Sequence, residues 1–281
     1  MIADVPWLLY RAFFALPKSI SDERARPVNA LLGTVNALVS AIQACSPRAV
    51  VACFGAEQAV YRVNLYAPYH AHREPMPAEL AQQWARAGEL LGRFGWTVAG
   101  SEELEADDVM FSYAGAETDA GGLALLLSGD RDMFQAVTDA VKILELRRDG
   151  AAVELGPADV LERYGVTPKL VPDFIALRGD PSDGLPGAPG VGAKTAAVLL
   201  GRYGGLERLL AAAADGDPEL RPRVAGALRE NAEQLVAFKR IATLVRIAVE
   251  RPADRSTNFA AGALAADEFG MKRLAQRLAM A

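Results

Sequence analysis

The spacing of hydrophobic positions changes along the chain near residue 157. Before it, short apolar runs end in Gly or Asp or lead into turn residues. RAVVACF at 48–54 and LALLLSGD at 123–130 are the clearest, VKILEL at 141–146 is a third candidate, and IAD at 2–4 reads as a first short strand. Such short apolar runs with turn residues behind them predict buried strands. Between them, residues 28–44, 77–94 and 104–117 carry the spacing of helices. Strands alternating with helices predict a mostly parallel central sheet flanked by helices. After residue 157 the strand signal fades. PADVLERYG, TPKLVPDFIALRG, AKTAAVLLGRYG and RVAGALRENAEQLVAFKRIATLV read as helices, with Gly165, Gly179 and Gly204 at the expected stops. The pattern predicts an α/β region over residues 1–160 and an all-helical region over 161–281. Residues 56–77, AEQAVYRVNLYAPYHAHREPMP, follow neither period. Long irregular segments inside compact domains are often functional.

Composition narrows the class. With 281 residues, 51% of them hydrophobic, the chain can bury a core for two domains. No run approaches the roughly 18 uninterrupted apolar residues of a membrane span. The N-terminal stretch MIADVPWLLYRAFFALP carries Asp4 early and Arg11 in its middle, which is unlike a secretory signal. A soluble cytoplasmic protein is expected, with no membrane partner. Cys45 and Cys53 are too few for a disulfide framework and read as small buried hydrophobes. The net charge of −5 does not advertise nucleic-acid binding. A clustered set of acids could mask a basic surface, so the placement of the acids matters more than their number.

The acids fall at the edges of elements. Asp4 ends the first strand, SGDRD puts Asp130 and Asp132 after another, and ELEADDV puts Glu105, Asp107 and Asp108 at a helix start. RGDPSDG adds Asp180 and Asp183 in a tight turn. Taken singly, these are helix caps, dipole complements and turn residues. Taken together, eight carboxylates on one side would repel one another unless cations neutralised them. An all-oxygen set without a His or Cys cluster points to Mg²⁺ or Mn²⁺ rather than zinc. Two hard cations about 4 Å apart suit in-line displacement at phosphorus.

DGLPGAPGVGAKTAAVLL, residues 183–200, invites a phosphate-loop reading and hence a nucleotide-dependent α/β enzyme. A P-loop needs G-x-x-x-x-G-K-[ST]. Here Ala188 and Ala193 stand where both glycines are required, and the preceding segment reads as helix and turn. A tight turn at Gly190-Val191-Gly192 fits better. Its glycines let backbone approach a ligand, and the helix starting near Ala193 offers free N–H groups to a phosphate, with Lys194 and Thr195 adding a charge and a hydroxyl. Such contacts position a duplex without reading bases.

These motifs together resemble the bacterial and phage 5′-nuclease (flap endonuclease) family, which includes the 5′–3′ exonuclease domain of DNA polymerase I. The resemblance rests on DVPWLLYRAFFALP, YHAHREPMP, EADDV, SGDRDMFQ and GDPSDGLPGAPGVGAKTA in that order, and covers about residues 1–250. It implies metal ligands at Asp4, Glu105, Asp107, Asp108, Asp130, Asp132, Asp180 and Asp183. It implies a helical arch over about 56–85 and a helix-hairpin-helix at 184–200 that grips the DNA backbone through Gly190, Gly192, Lys194 and Thr195 and often holds K⁺. Arg11 matches an arginine near the scissile phosphate, Tyr69 an aromatic that stacks on a terminal base, and Arg73 a residue that holds the threaded strand. Two positions depart from the family: Gly55 replaces an acid of the first metal site, and His70 replaces a lysine near the reacting phosphate. The resemblance implies a stand-alone, monomeric, structure-specific 5′ nuclease. Its substrates would be DNA with a 5′ flap, nick or 5′ single-stranded end, and RNA–DNA hybrid, in flap or primer removal. The competing expectation is a junction-binding protein in which Gly55 and His70 mark lost chemistry.

Overall fold

The computed structural model describes residues 1–147 and 152–280. Its sheet contains β1 (Ile2–Asp4), β2 (Val51–Cys53), β3 (Thr97–Ala99), β4 (Ala124–Leu127), β5 (Val141–Leu146) and β6 (Ala152–Leu155) in the order β3-β2-β1-β4-β5-β6. All neighbours pair in parallel except β6, which runs antiparallel to β5. The chain builds outward from β1 in one direction through β2 and β3, then returns to add β4 on the other side. The carboxyl ends of β1 and β4 therefore meet at a switch point, where open α/β sheets form a crevice.

Alternation along each strand supplies two cores. Ile2, Val51, Leu126 and Ile143 face one side, and Ala3, Ala52, Leu127 and Leu144 face the other. The second side is covered by α1 (Val5–Ala15), α2 (Asn29–Cys45) and α4 (Ala78–Arg93). The first side is covered by α5 (Ala106–Asp119) and by the helical region: α6 (Pro157–Tyr164), α7 (Val171–Arg178), α8 (Ala193–Tyr203), α9 (Leu206–Ala214), α10 (Pro222–Glu230) and α11 (Ala232–Ala242). The short helix α3 (Val60–Leu65) lies in the irregular segment and packs on α11.

Two expectations about organisation are corrected. The helical region does not run on through 280. After α11 an extended strap, 244–258, carries the chain back along α5, and α12 (Phe259–Glu268) and α13 (Lys272–Leu278) join the core with α1, α2 and α4. Val245 N–H donates to Asp108 Oδ1 at 2.8 Å and Ile247 N–H donates to Ser112 Oγ at 3.0 Å, so buried side chains of α5 satisfy the strap's backbone. Residue 281 lies outside the described residues. The second correction concerns the arch segment: 78–85 are the first turns of α4, whose Leu80, Ala87, Leu90 and Leu91 are buried in the core.

Candidate functional site

At the carboxyl end of β1 and β4 lies a cavity of about 520 Å³, whose acidic lining is Asp4, Glu57, Glu74, Glu105, Asp107, Asp130, Asp132 and Asp183. Asp4 both ends β1 and caps α1. Its Oδ1 accepts the Trp7 N–H at 2.9 Å and its Oδ2 accepts the Ser128 hydroxyl at 2.7 Å. Ser128 Oγ also accepts the Asp130 N–H at 3.0 Å, and Asp130 Oδ1 accepts the Asp132 N–H at 3.0 Å. The turn after β4 thus aims Asp130 and Asp132 into the cavity beside Asp4.

Among the described residues, no Lys, Arg or His forms an ion pair with Asp4, Asp107, Asp130 or Asp132. Their pKa values respond. Burial lifts Asp4 to about 6, with Asp130 adding to the rise against two hydrogen bonds that lower it. Burial, then the charges of Asp130, Asp4 and Asp132, hold Asp107 well above the usual carboxylate range. Asp132 rises for the same reasons, with Asp130 and Asp183 the leading charges. Asp130 is reached by solvent from the cleft, yet the enclosing protein raises it too, helped by Asp183 and Asp180. No three His, Cys, Asp or Glu side chains among the described residues are arranged to enclose a metal ion by themselves.

The remaining acids have cationic partners. Arg62, 3% exposed on α3, sets Nη1 at 3.1 Å from Glu105 Oε1 and donates from Nη2 to Asp108 Oδ1 at 2.9 Å and from Nε to Ile241 O at 2.9 Å. Glu105 Oε1 also accepts the Ala59 N–H at 2.8 Å. Asp183 accepts from Arg73 Nη2 and faces His70 Nε2, both at 3.0 Å. Asp180 lies 3.3 Å from Arg178 and caps the turn through Ser182. Two of the implied ligands are therefore placed differently from expectation. Asp108 is fully buried behind the cavity, because Arg62 and the Val245 N–H take its Oδ1. Asp180 turns into its own loop and does not line the cavity.

The other expected residues divide similarly. Arg73 lines the cavity with a half-exposed guanidinium. Tyr69 lines it too, but its ring is buried against His70 at 3.8 Å and its hydroxyl donates to Glu105. Its face is thus filled by protein rather than open to a base. His70 is buried with φ 57° and Nδ1 unpartnered, held by Asp183. Arg11 stands exposed over the Trp7 ring, outside the cavity. Gly55 lines the cavity but has no space for a side chain: a Cβ there would lie 2.2 Å from Ala106 N and 2.4 Å from Glu105 C. The first backbone units of α5 occupy the volume in which a carboxylate at this position would begin.

The hairpin forms as expected. Gly190 takes φ 79°, a conformation costly for other residues, and Gly192 caps α8. Lys194 is exposed in the first turn of α8, with Thr195 half-buried beside it. The turn 180–185, closed by reciprocal 2.8 Å hydrogen bonds between Asp180 and Leu185, joins the hairpin to the acid cleft.

Five residues of the site escaped the sequence reading. Arg62 looked like one residue in an irregular run, because its partners are 46 and 179 positions away. Ser128 stood beside the SGDRD acids, and its link to Asp4 spans 124 positions. Trp7, Tyr10 and Trp84 give the cavity an aromatic wall. Of these, only the helical spacing of Trp7 and Tyr10 from Asp4 was a local signal.

Two family descriptions match adjoining parts of the chain, residues 1–258 in all. The 5′-3′ exonuclease N-terminal resolvase-like domain matches residues 1–165, and the 5′-3′ exonuclease C-terminal SAM fold matches residues 166–258. The chain is 37% identical over 248 residues to DNA polymerase I of Mycobacterium tuberculosis, covering 88% of this chain but only 27% of the polymerase. It is 36% identical over 278 residues to a 5′-3′ exonuclease of M. tuberculosis, covering 92% of this chain and 86% of that one. A 5′-3′ exonuclease of Streptomyces coelicolor is 34% identical over 267 residues, covering 90% and 87%. Among solved structures, T5 D15 protein co-crystallised with metal ions aligns with TM-score 0.72 at 17% identity, covering all of this chain and 98% of that one. The catalytic core of Rad2 in complex with DNA substrate aligns with TM-score 0.66 at 12% identity, covering all of this chain and 90% of that one.

Proposed function

Because the chain belongs to the 5′–3′ exonuclease (flap endonuclease) family, we propose that it is a divalent-metal-dependent 5′ nuclease that hydrolyses a DNA phosphodiester near a single-strand/duplex junction. One observation carries the metal assignment. Asp4, Asp107, Asp130 and Asp132 converge on the crevice with raised pKa values and, among the described residues, no ion pair, Arg62 and Arg73 acting on Asp132 and Asp130 only from a distance. Mg²⁺ or Mn²⁺ suits such a donor set, because Mg²⁺ usually takes one or two carboxylates and leaves its other positions to water and substrate phosphate. Those four acids would hold the cations, with Glu105 and Asp183 on the facing wall. When bound, the cations neutralise phosphate charge and acidify water at the scissile bond.

The protein's own groups supply the rest. Asp4 is held in orientation by the Trp7 N–H and Ser128, so its carboxylate cannot turn from the crevice. The half-exposed Arg73 guanidinium at the cavity wall can pair with an incoming phosphate while keeping its bond to Asp183. The hairpin at Gly190–Thr195 grips the duplex backbone through free N–H groups, Lys194 and Thr195, and a K⁺ ion there would add charge toward the phosphate. The substrates would be flaps, nicks and 5′ single-stranded ends, with RNA–DNA hybrid included.

A 5′-labelled flap duplex incubated with Mg²⁺ or Mn²⁺, beside EDTA and an Asp130→Ala control, tests this. Cleavage near the junction, lost in both controls, is expected. Tight flap binding with no cleavage in either metal would overturn the nuclease reading in favour of a junction-binding protein.

A further inference from the structure

The first helix carries a tryptophan that meets three parts of the site. The Trp7 N–H donates to Asp4 Oδ1 at 2.9 Å, and the Trp7 ring lines the acid cavity. The edge of the indole lies against the backbone of Gly129, in the turn between Ser128 and Asp130. A Cβ on Gly129 would stand 2.5 Å from Cε2 and 2.8 Å from Nε1 of the ring, so the absence of a side chain is what lets the turn come this close. The face of the indole lies under Arg11, whose guanidinium carbon is 5.5 Å from the ring centre.

Arg11 is exposed and follows Trp7 by one turn of α1. Helical side chains lean back over the turn before their own, which puts Arg11 above the indole. The crevice on the other side of that ring holds Asp4, Asp107, Asp130 and Asp132 without an ion pair among the described residues. A long cationic side chain at the edge of such a field is drawn toward the nearest carboxylate. Arg11 instead has no ion pair among the described residues and rests on the ring. Stacking uses the flat face of a guanidinium and leaves its in-plane N–H donors free for an anion such as phosphate. Because one indole touches both Arg11 and Gly129, it also fixes how far those donors stand from the Asp130 turn.

We propose that Trp7 is a positioning residue: its ring holds the Arg11 guanidinium off the acids, one ring's width from the Asp130 turn, where Arg11 pairs with a backbone phosphate of the strand entering the cleft. The proposal rests on the nuclease reading for its substrate. The role it gives the Trp7 side chain runs through Arg11, and the bond that orients Asp4 comes from the Trp7 backbone.

The test is binding of a 5′-flap duplex in EDTA across a KCl series by Trp7→Leu, Trp7→Phe, Arg11→Gln and the double variant Trp7→Leu/Arg11→Gln. The backbone N–H that reaches Asp4 is retained in all of them. Each phosphate contact contributes about 0.7 on single strands and about 0.9 on duplex to the slope of log affinity against log salt. Arg11→Gln is expected to lower the slope by about one contact. Trp7→Leu is expected to lower it by a similar amount although it removes no charge. Trp7→Phe, which keeps a ring face, is expected to restore most of the slope, and the double variant to fall no further than Arg11→Gln alone. Gly129→Ala pushes on the indole while leaving Trp7 and Arg11 in place, and is expected to lower the slope as Trp7→Leu does. Weaker binding by Trp7→Leu at an unchanged slope is a structural effect and overturns the proposal. So does an unchanged slope in Arg11→Gln, a double variant that loses the sum of the two single losses, or a Trp7→Phe as low as Trp7→Leu. If Trp7→Leu does not fold, Gly129→Ala decides, and a full slope there overturns the proposal. The two readings fail separately. Absence of metal-dependent cleavage with coupled slopes overturns the nuclease assignment and leaves the role of Trp7 standing, and cleavage with uncoupled slopes does the reverse.

Discussion

The acid cleft has two groups of carboxylates that solve the same electrostatic problem differently. In one group, Asp4, Asp107, Asp130 and Asp132 share the crevice with no ion pair among the described residues. In the other, Arg62 sits between Glu105 and Asp108, and Arg73 and His70 meet Asp183. A buried carboxylate with a partner is a structural element. One without a partner stores repulsion that an incoming cation can relieve. The contrast separates acids that hold the molecule together from acids that wait for a ligand, although both kinds occur in the same short motif, EADD.

The sharpest way to break the comparison is to unbalance the paired group. Arg62→Met leaves Asp108 buried without a counter-ion, and removal of one partner of a buried pair costs about 3–5 kcal/mol. Thermal unfolding should show this loss, and pairing the change with Asp108→Leu should recover most of it. The reciprocal change in the unpaired group, Asp130→Asn, should leave the melting temperature unchanged or higher. Cleavage of a labelled flap should fall about 10²–10³-fold, the scale seen when a transition-state charge stabiliser is removed.

Next in size is the pH dependence of the metal-free protein. Asp4 has a raised pKa of about 6 when folded, against 3.8 as its ordinary value. The folded state therefore binds more protons than the unfolded chain between those values, so stability falls as pH rises from about 4 to 6. At about 1.4 kcal/mol per unit, the loss from this group is about 3 kcal/mol. Chemical denaturation in EDTA across pH should show the decline, and Asp4→Asn should flatten it. Mg²⁺ or Mn²⁺ should restore stability increasingly as pH rises through 6, because the ligands must be deprotonated.

Gly55→Ala sharpens the contrast from the backbone side. Its added methyl would press on the Glu105–Ala106 unit, and an overpacked site of this kind typically loses about 1–3 kcal/mol. By the same crowding, Gly55→Asp should destabilise the fold rather than add a carboxylate to the cleft, which a melting curve beside Mn²⁺ titration would show. The smallest effect is expected at the hairpin, where Lys194→Ala should lower the salt slope of duplex binding by about one phosphate contact.

Much of this was legible locally. Helices at 29–45, 78–93 and 106–119 followed from their periodicity, as did the strands that end near Asp4 and Asp130. The hairpin followed from glycine spacing and from the failure of the P-loop pattern. Strand β3 went unrecognised because it is three residues long and partly exposed, too short to establish a period. The return of α12 and α13 to the first core was hidden for another reason. An apolar helical face shows that a helix is buried, but not against which partner.

The sequence by itself determined the alternation of elements, the family, the acid-rich chemistry and the turn at Gly190–Gly192, because each depends on residues within a few positions of one another. Only the tertiary structure decided which acids are paired and which are left for a ligand. Asp108 meets Arg62 across 46 positions and the Val245 N–H across 137, and the space beside Gly55 is filled by the start of α5. A carboxylate's pKa and role follow from what surrounds it in space, and those surroundings come from parts of the chain that no local pattern connects.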